Sequence, residues 1–172
     1  MDDPYLKIIK FGNDILTTKA SEIKRIDERI LRLAKRMAET MIHAPGVGLA
    51  APQVGESIRL VTVDVSVGEK PEELLILINP RIIAREESET DEEGCLSFPG
   101  YSMPISRYRK ILFEAISIDG KEIRLEAEGY KARAIQHELD HLDGLLIIDR
   151  VSTLKRNLIK QEIKKLRKSG KW

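Results

Sequence analysis

Apolar residues recur at two different spacings along the chain. From Ile26 to Met41 they return every three or four residues, at Ile26, Ile30, Leu33, Met37 and Met41, with Lys and Arg between them. That spacing puts one apolar stripe on a helix, which Pro45 and Gly46 end. Gly46 to Gly55 reads as a turn-rich loop. Ile58 to Val67, rich in Val and Ile, predicts a strand. Leu74 to Asn79 predicts another, stopped by Pro80, with extended chain resuming over Arg81 to Arg85. Glu86 to Glu93 reads as an acidic loop and Gly94 to Pro104 as a short irregular segment. Ile111 to Ile118 and Glu122 to Leu125 flank Asp119-Gly120, a strong hairpin signal. A second helix is expected from Tyr130 to Asp143, with Gly144 in the terminating position. A third is expected from Ser152 to Lys168, with Ser152 as cap and Leu158, Ile159, Ile163 and Leu166 as its apolar stripe. No repeat, low-complexity segment or linker interrupts this order. The expectation is one α+β domain over residues 1–172, with antiparallel or mixed strands packed around the second helix and helices near both termini.

Composition narrows the class. The 172 residues carry 33% charged side chains and a net charge of +1, a balance that points to neither nucleic acid nor membrane. The longest apolar run, Leu74 to Ile78, is too short to span a bilayer. The start, Met-Asp-Asp-Pro, is acidic and reads as neither a secretory signal nor a transit peptide. A cytoplasmic protein with no membrane or DNA partner is expected. Cys95 is the single cysteine, which excludes an internal disulfide and leaves a thiol for ligation or nucleophilic chemistry. Charge is unevenly placed: from Ser152 to Trp172, eight Lys or Arg face Glu162 alone. Such a segment is either a solvated helix face or a basic tail that meets a polyanion.

The chemistry concentrates in His137-Glu-Leu-Asp-His141. On a helix, positions four apart lie one above the other, so both imidazoles reach one metal ion. Glu138 sits one step round, beside the metal, where it can take a proton from a metal-bound water. A catalytic site needs a third protein ligand, and the sequence offers three. His43 ends the first helix and also suits a plain helix-end cation. Glu162 could face inward from the third helix, as in a two-His, one-Glu peptidase, or stand as an isolated acid among bases. Cys95 follows Gly94 in Glu-Glu-Gly-Cys-Leu-Ser, and binds divalent metal strongly as a thiolate or packs as a small hydrophobe. Gly46-Val-Gly-Leu-Ala-Ala loosely matches a dinucleotide fingerprint, but a helix precedes it and Pro52 follows, so nucleotide binding is not expected.

Three segments in order carry a resemblance: Gly-Val-Gly-Leu-Ala-Ala-Pro-Gln at 46 to 53, Glu-Gly-Cys-Leu-Ser at 93 to 97, and Gln-His-Glu-Leu-Asp-His-Leu-Asp-Gly at 136 to 144. The chain resembles the bacterial peptide deformylases, which remove the formyl group from the N-terminal formylmethionine of nascent polypeptides. The resemblance implies that Cys95 joins His137 and His141 as metal ligands, with water in the fourth position. It implies Glu138 as general base and acid, and Gln53 with the Leu96 N–H as oxyanion donors. Backbone near Val47, Gly48 and Gly94 would align the substrate as an added strand, and Tyr130 and Arg133 would border the methionine pocket. Fe(II) is implied as the native metal, with Zn, Ni or Co able to replace it. The ribosome is implied as a partner through the basic helix at 152–168. The chain departs from the family pattern where Ser102 replaces a common basic residue and Asp91 a common apolar one. Asp140, within the motif, either pairs with a base such as Arg107 or stands as an exposed acid. Two further readings stay open: a peptidase using Glu162, and a non-catalytic homologue that binds N-termini.

Overall fold

In a computed structural model of the chain, residues 4–172 are described, so most of the acidic start lies outside the described residues. Asp27 caps the first helix, α1 (Glu28–His43), by accepting from the Ile30 N–H. Five strands follow: β1 (Gly48–Ala50), β2 (Leu60–Val63), β3 (Leu75–Gly94), β4 (Ser102–Ile116) and β5 (Glu122–Glu128). They form one sheet in chain order, every neighbour antiparallel, with β1 at one edge. The motif helix α2 (Gly129–Leu142) and the basic helix α3 (Thr153–Lys168) complete the α+β fold. No helix among the described residues is long and apolar enough to cross a membrane.

The β2 run is buried throughout because helices cover both its faces. Leu60 packs with Ile30, Ala34, Met37 and Met41 of α1, while Val61 and Val63 pack with Ala132, Ile135, Leu139 and Leu142 of α2. A third cluster seats Ile159 and Ile163 of α3 against Phe98, Met103 and Ile105. That cluster anchors the turn after Cys95, where the Phe98 N–H bonds the Cys95 carbonyl at 2.9 Å.

Several expectations change. Gly46 to Gly55 is not only loop: it holds β1 and a 3-10 turn at Ala51–Val54. β2 ends at Val63 because the Asp64 carboxylate turns the chain by accepting the Ser66 and Gly68 N–H groups. Pro80 does not stop β3. It lies in a register shift between Ile78 and Arg81, where a missing N–H is tolerated, with Asn79 at φ 50. The acidic stretch 86–93 is strand rather than loop. It buries little, but β4 pairs with it from Glu86 opposite Lys110 to Gly94 opposite Ser102, with a break at Glu87, whose φ is 48. β4 accordingly starts at Ser102, within the segment expected to be irregular. The hairpin at Asp119-Gly120, the Ser152 cap and the helix end at Gly144 stand as expected. Leu158 does not join the α3 stripe; it is exposed.

Gly144 has φ 73, and a Cβ there would stand 2.7 Å from the Thr17 carbonyl oxygen. Gly144→Ala is expected to cost about 1–3 kcal/mol, read as a lower denaturant midpoint at unchanged m-value.

Candidate metal centre

α2 is buried from Ala132 to Leu142, although many of those residues are polar or charged. Its apolar side meets the sheet, so the polar side must find partners within the protein. His141 Nε2 lies 3.2 Å from His137 Nε2 and 3.3 Å from Cys95 Sγ. Among the described residues, these three are the Cys, His and acidic side chains able to share one metal ion, with ligand atoms within 4.8 Å of one another. One thiolate and two imidazoles suit a borderline divalent ion.

The surroundings fit such an ion. His137 Nδ1 meets Glu93 Oε1 at 2.6 Å, which leaves Nε2 free to ligate. Burial opposes charge on His137, yet Cys95 and Glu93 push its pKa well above the ordinary value; burial and then His137 depress His141 well below it. Burial would raise Glu93, but bonds from His137 and Arg107 hold it well below the usual carboxylate range. Glu138 differs: burial pushes its carboxyl up to about 7, and its Oε2 has no hydrogen-bond partner among the described residues.

A cleft of about 400 Å³ opens over this cluster, lined by Cys95, His137 and Glu138 with Gln53, Leu96, Val47, Gly48, Gly94, Tyr130 and Arg133. His141 is buried beside it. Gln53 Oε1 accepts the Ala50 N–H at 2.9 Å, which turns Nε2 toward Cys95 Sγ at 3.6 Å and Ser97 Oγ at 3.2 Å.

Comparison with known proteins agrees with this geometry. Residues 5–157 match the family described as Polypeptide deformylase. A peptide deformylase of Thermodesulfovibrio yellowstonii is 45% identical, over 92% of this chain and 96% of that protein. One of Dictyoglomus thermophilum is 49% identical, over 84% of this chain and 91% of its own. A crystal structure of the Legionella pneumophila peptide deformylase superposes with a TM-score of 0.89 at 35% identity, covering 96% of this chain and 97% of that one. The chain belongs to the polypeptide deformylase family. It is accordingly a metal-dependent hydrolase of protein biosynthesis.

Two candidates for the third ligand lie elsewhere. His43 stacks on Tyr5, ring centroids 3.8 Å apart, and lies outside the cluster. Glu162 is exposed on α3; burial and then Glu162 raise the Tyr101 phenol above its ordinary value. Arg133 lines the cleft, but its guanidinium is engaged by Glu93 and by the Ile105 and Glu89 carbonyls. Asp91 and Ser102 stand outside the lining, and Ser102 Oγ donates to Glu92 at 2.7 Å. Asp140 does pair with Arg107, at 2.6 Å. Sequence reasoning missed the role of Glu93, although that residue opens the Glu-Gly-Cys motif. Its signal was an acid two residues before Cys95 at the end of an exposed acidic run.

A Cβ on Gly48 would stand 2.2 Å from Glu138 Oε1 and 2.7 Å from its Cδ. Gly48→Ala is expected to displace the Glu138 carboxylate and lower kcat about 100-fold while metal content is retained, as measured by steady-state kinetics beside metal analysis.

Proposed function

We propose that the chain hydrolyses the N-formyl group of formylmethionine peptides and releases formate, using Cys95, His137 and His141 as ligands of one divalent ion. The observation that carries this reading is the convergence of Cys95 Sγ and both Nε2 atoms beside a buried Glu138, under a cleft beside the edge strand β1. When bound, the ion supplies Lewis acidity that polarises the formyl carbonyl and lowers the pKa of water. Fe(II) is the proposed native ion, with Zn, Ni or Co able to occupy the same donors.

The chain's own residues do the rest. Glu138 removes a proton from the attacking water and delivers it to the leaving amine; a carboxyl lifted to about 7 suits both directions near neutral pH. Gln53 Nε2 and the Leu96 N–H donate to the oxyanion as it forms. Backbone at Val47 and Gly48, with Gly94 across the cleft, aligns the peptide as an added strand, because β1 pairs on one side only. Tyr130, 57% exposed, borders the side-chain pocket, and Arg133 supports that wall from behind. We read residues 1–172 as a single domain acting in the cytoplasm on nascent chains. The outward basic face of α3 supports ribosome docking, since Ile159 and Ile163 turn inward while Lys160, Lys164, Lys165 and Lys168 stay exposed.

The first test is formate release from formyl-Met-Ala by protein prepared without oxygen and loaded with Fe(II). Metal-dependent formate is expected; folded, metal-loaded protein that releases none would overturn the reading. Glu138→Gln should retain metal and lose activity by about 10²–10⁴-fold, whereas Cys95→Ala should lose both. Removing residues after Ser152 should weaken co-sedimentation with ribosomes, in a salt-dependent way. Equal sedimentation of truncated and full-length chains would refute the docking role.

A further inference from the structure

A chain of ionised side chains holds His137 from behind and ends on Arg150. Glu93 Oε1 meets His137 Nδ1 at 2.6 Å. Arg107 donates to Glu93 from Nε at 3.1 Å and Nη2 at 2.6 Å, and to Asp140 from Nη1 at 2.6 Å. Arg150 then donates to both oxygens of Asp140, at 3.0 and 2.5 Å. Glu93, Arg107 and Asp140 are buried, while the Arg150 side chain is 42% exposed.

Two carboxylates thus compete for one guanidinium. Arg107 gives two N–H groups to Glu93 and one to Asp140. That division holds because Arg150 already satisfies both oxygens of Asp140. Without Arg150, a buried carboxylate would retain Arg107 as its charged partner and draw that fork toward itself. Glu93 would lose its bidentate support and turn about its remaining bond to Arg133. The Oε1 atom that sets the tautomer and ring plane of His137 would move with it.

We propose that Arg150 is a positioning residue for the metal centre, acting through Asp140, Arg107 and Glu93 to orient His137. Arg150 does not touch the substrate cleft. It lines a separate cavity behind α2, with Arg59, Arg85 and Ser106. It also ends the 3-10 turn Ile147–Arg150 that leads into α3, a turn braced by Arg156 Nε on the Ile148 carbonyl at 3.0 Å. The seating of the C-terminal helix therefore contributes to the geometry of a metal ligand on another helix. The inference rests on His137 being a ligand, as proposed above.

The test uses full-length Arg150→Met and Arg150→Lys loaded with Co(II). Three quantities are read: metal loss to a chelator, kcat and KM separately, and the imidazole ¹⁵N shifts of the metal-free protein. Arg150→Met is expected to lose metal about tenfold faster or more, to lower kcat with KM within about twofold, and to shift the His137 ring ¹⁵N resonances as the contact of Nδ1 with Glu93 loosens. Arg150→Lys should recover part of each, because an ammonium cannot span both Asp140 oxygens. Unchanged metal loss and unchanged His137 shifts in Arg150→Met would overturn the proposal, whatever happens to its unfolding midpoint. If that variant does not fold, Arg150→Gln is measured in the same three ways, and the same outcomes support or overturn the proposal. Cys95→Ala is measured alongside: if it holds Co(II) as tightly as the parent, the ligand assignment fails, and the role of Arg150 with it.

Discussion

The Glu93 to His137 hydrogen bond is the contact on which the rest of this structure depends. It joins the end of β3 to the buried motif helix, and it settles which nitrogen of the imidazole is left for a metal. An ionised carboxylate at that depth is costly unless several donors meet it. Arg107 and Arg133 do so, and both are themselves buried. The β3–β4 ribbon supplies both partners: Glu93 near the end of β3 meets Arg107 of β4, which donates to both of its carboxylate oxygens.

The remaining parts serve the same helix. Ala132, Ile135, Leu139 and Leu142 press one side of α2 into the sheet, so the other side is fixed within a fraction of a turn. Gln136 completes the fixation: its amide exchanges two hydrogen bonds with the backbone of Tyr108, as a neighbouring strand would. Cys95 reaches the histidines from a turn clamped by Phe98 against α3. Gly48 brings the edge strand so close to Glu138 that no side chain fits between them. Edge strand, Glu138 and the Cys95, His137 and His141 cluster therefore meet at one cleft, which suits a hydrolase acting on an extended peptide terminus.

Much of this was legible in the chain. The three- and four-residue spacing of Ile30, Leu33, Met37 and Met41 marks α1, and Asp119-Gly120 marks the hairpin. The His-Glu-Leu-Asp-His spacing predicts two imidazoles on one helix face, since four residues are close to one turn. The exposed half of β3 was not legible. Its residues neither alternate nor bury, and their strand geometry comes from pairing with a segment whose own alternation, Met103, Ile105, then Arg107, is broken by a charge.

Sequence alone determined which side chains can do chemistry and which of them share a helix face, because local spacing translates directly into direction. It could not choose among His43, Glu162 and Cys95 from spacing, since all three lie far from the motif helix in the chain; only the resemblance pointed to Cys95. Tertiary structure brought Cys95 to the two histidines, turned His43 onto Tyr5 and left Glu162 exposed. It also decided the charge pairing of Glu93, Arg107, Asp140 and Arg150. Their partners lie between 10 and 44 residues apart in the chain, and only the packing of α2 against β3, β4 and the turn before α3 brings such groups within hydrogen-bond reach.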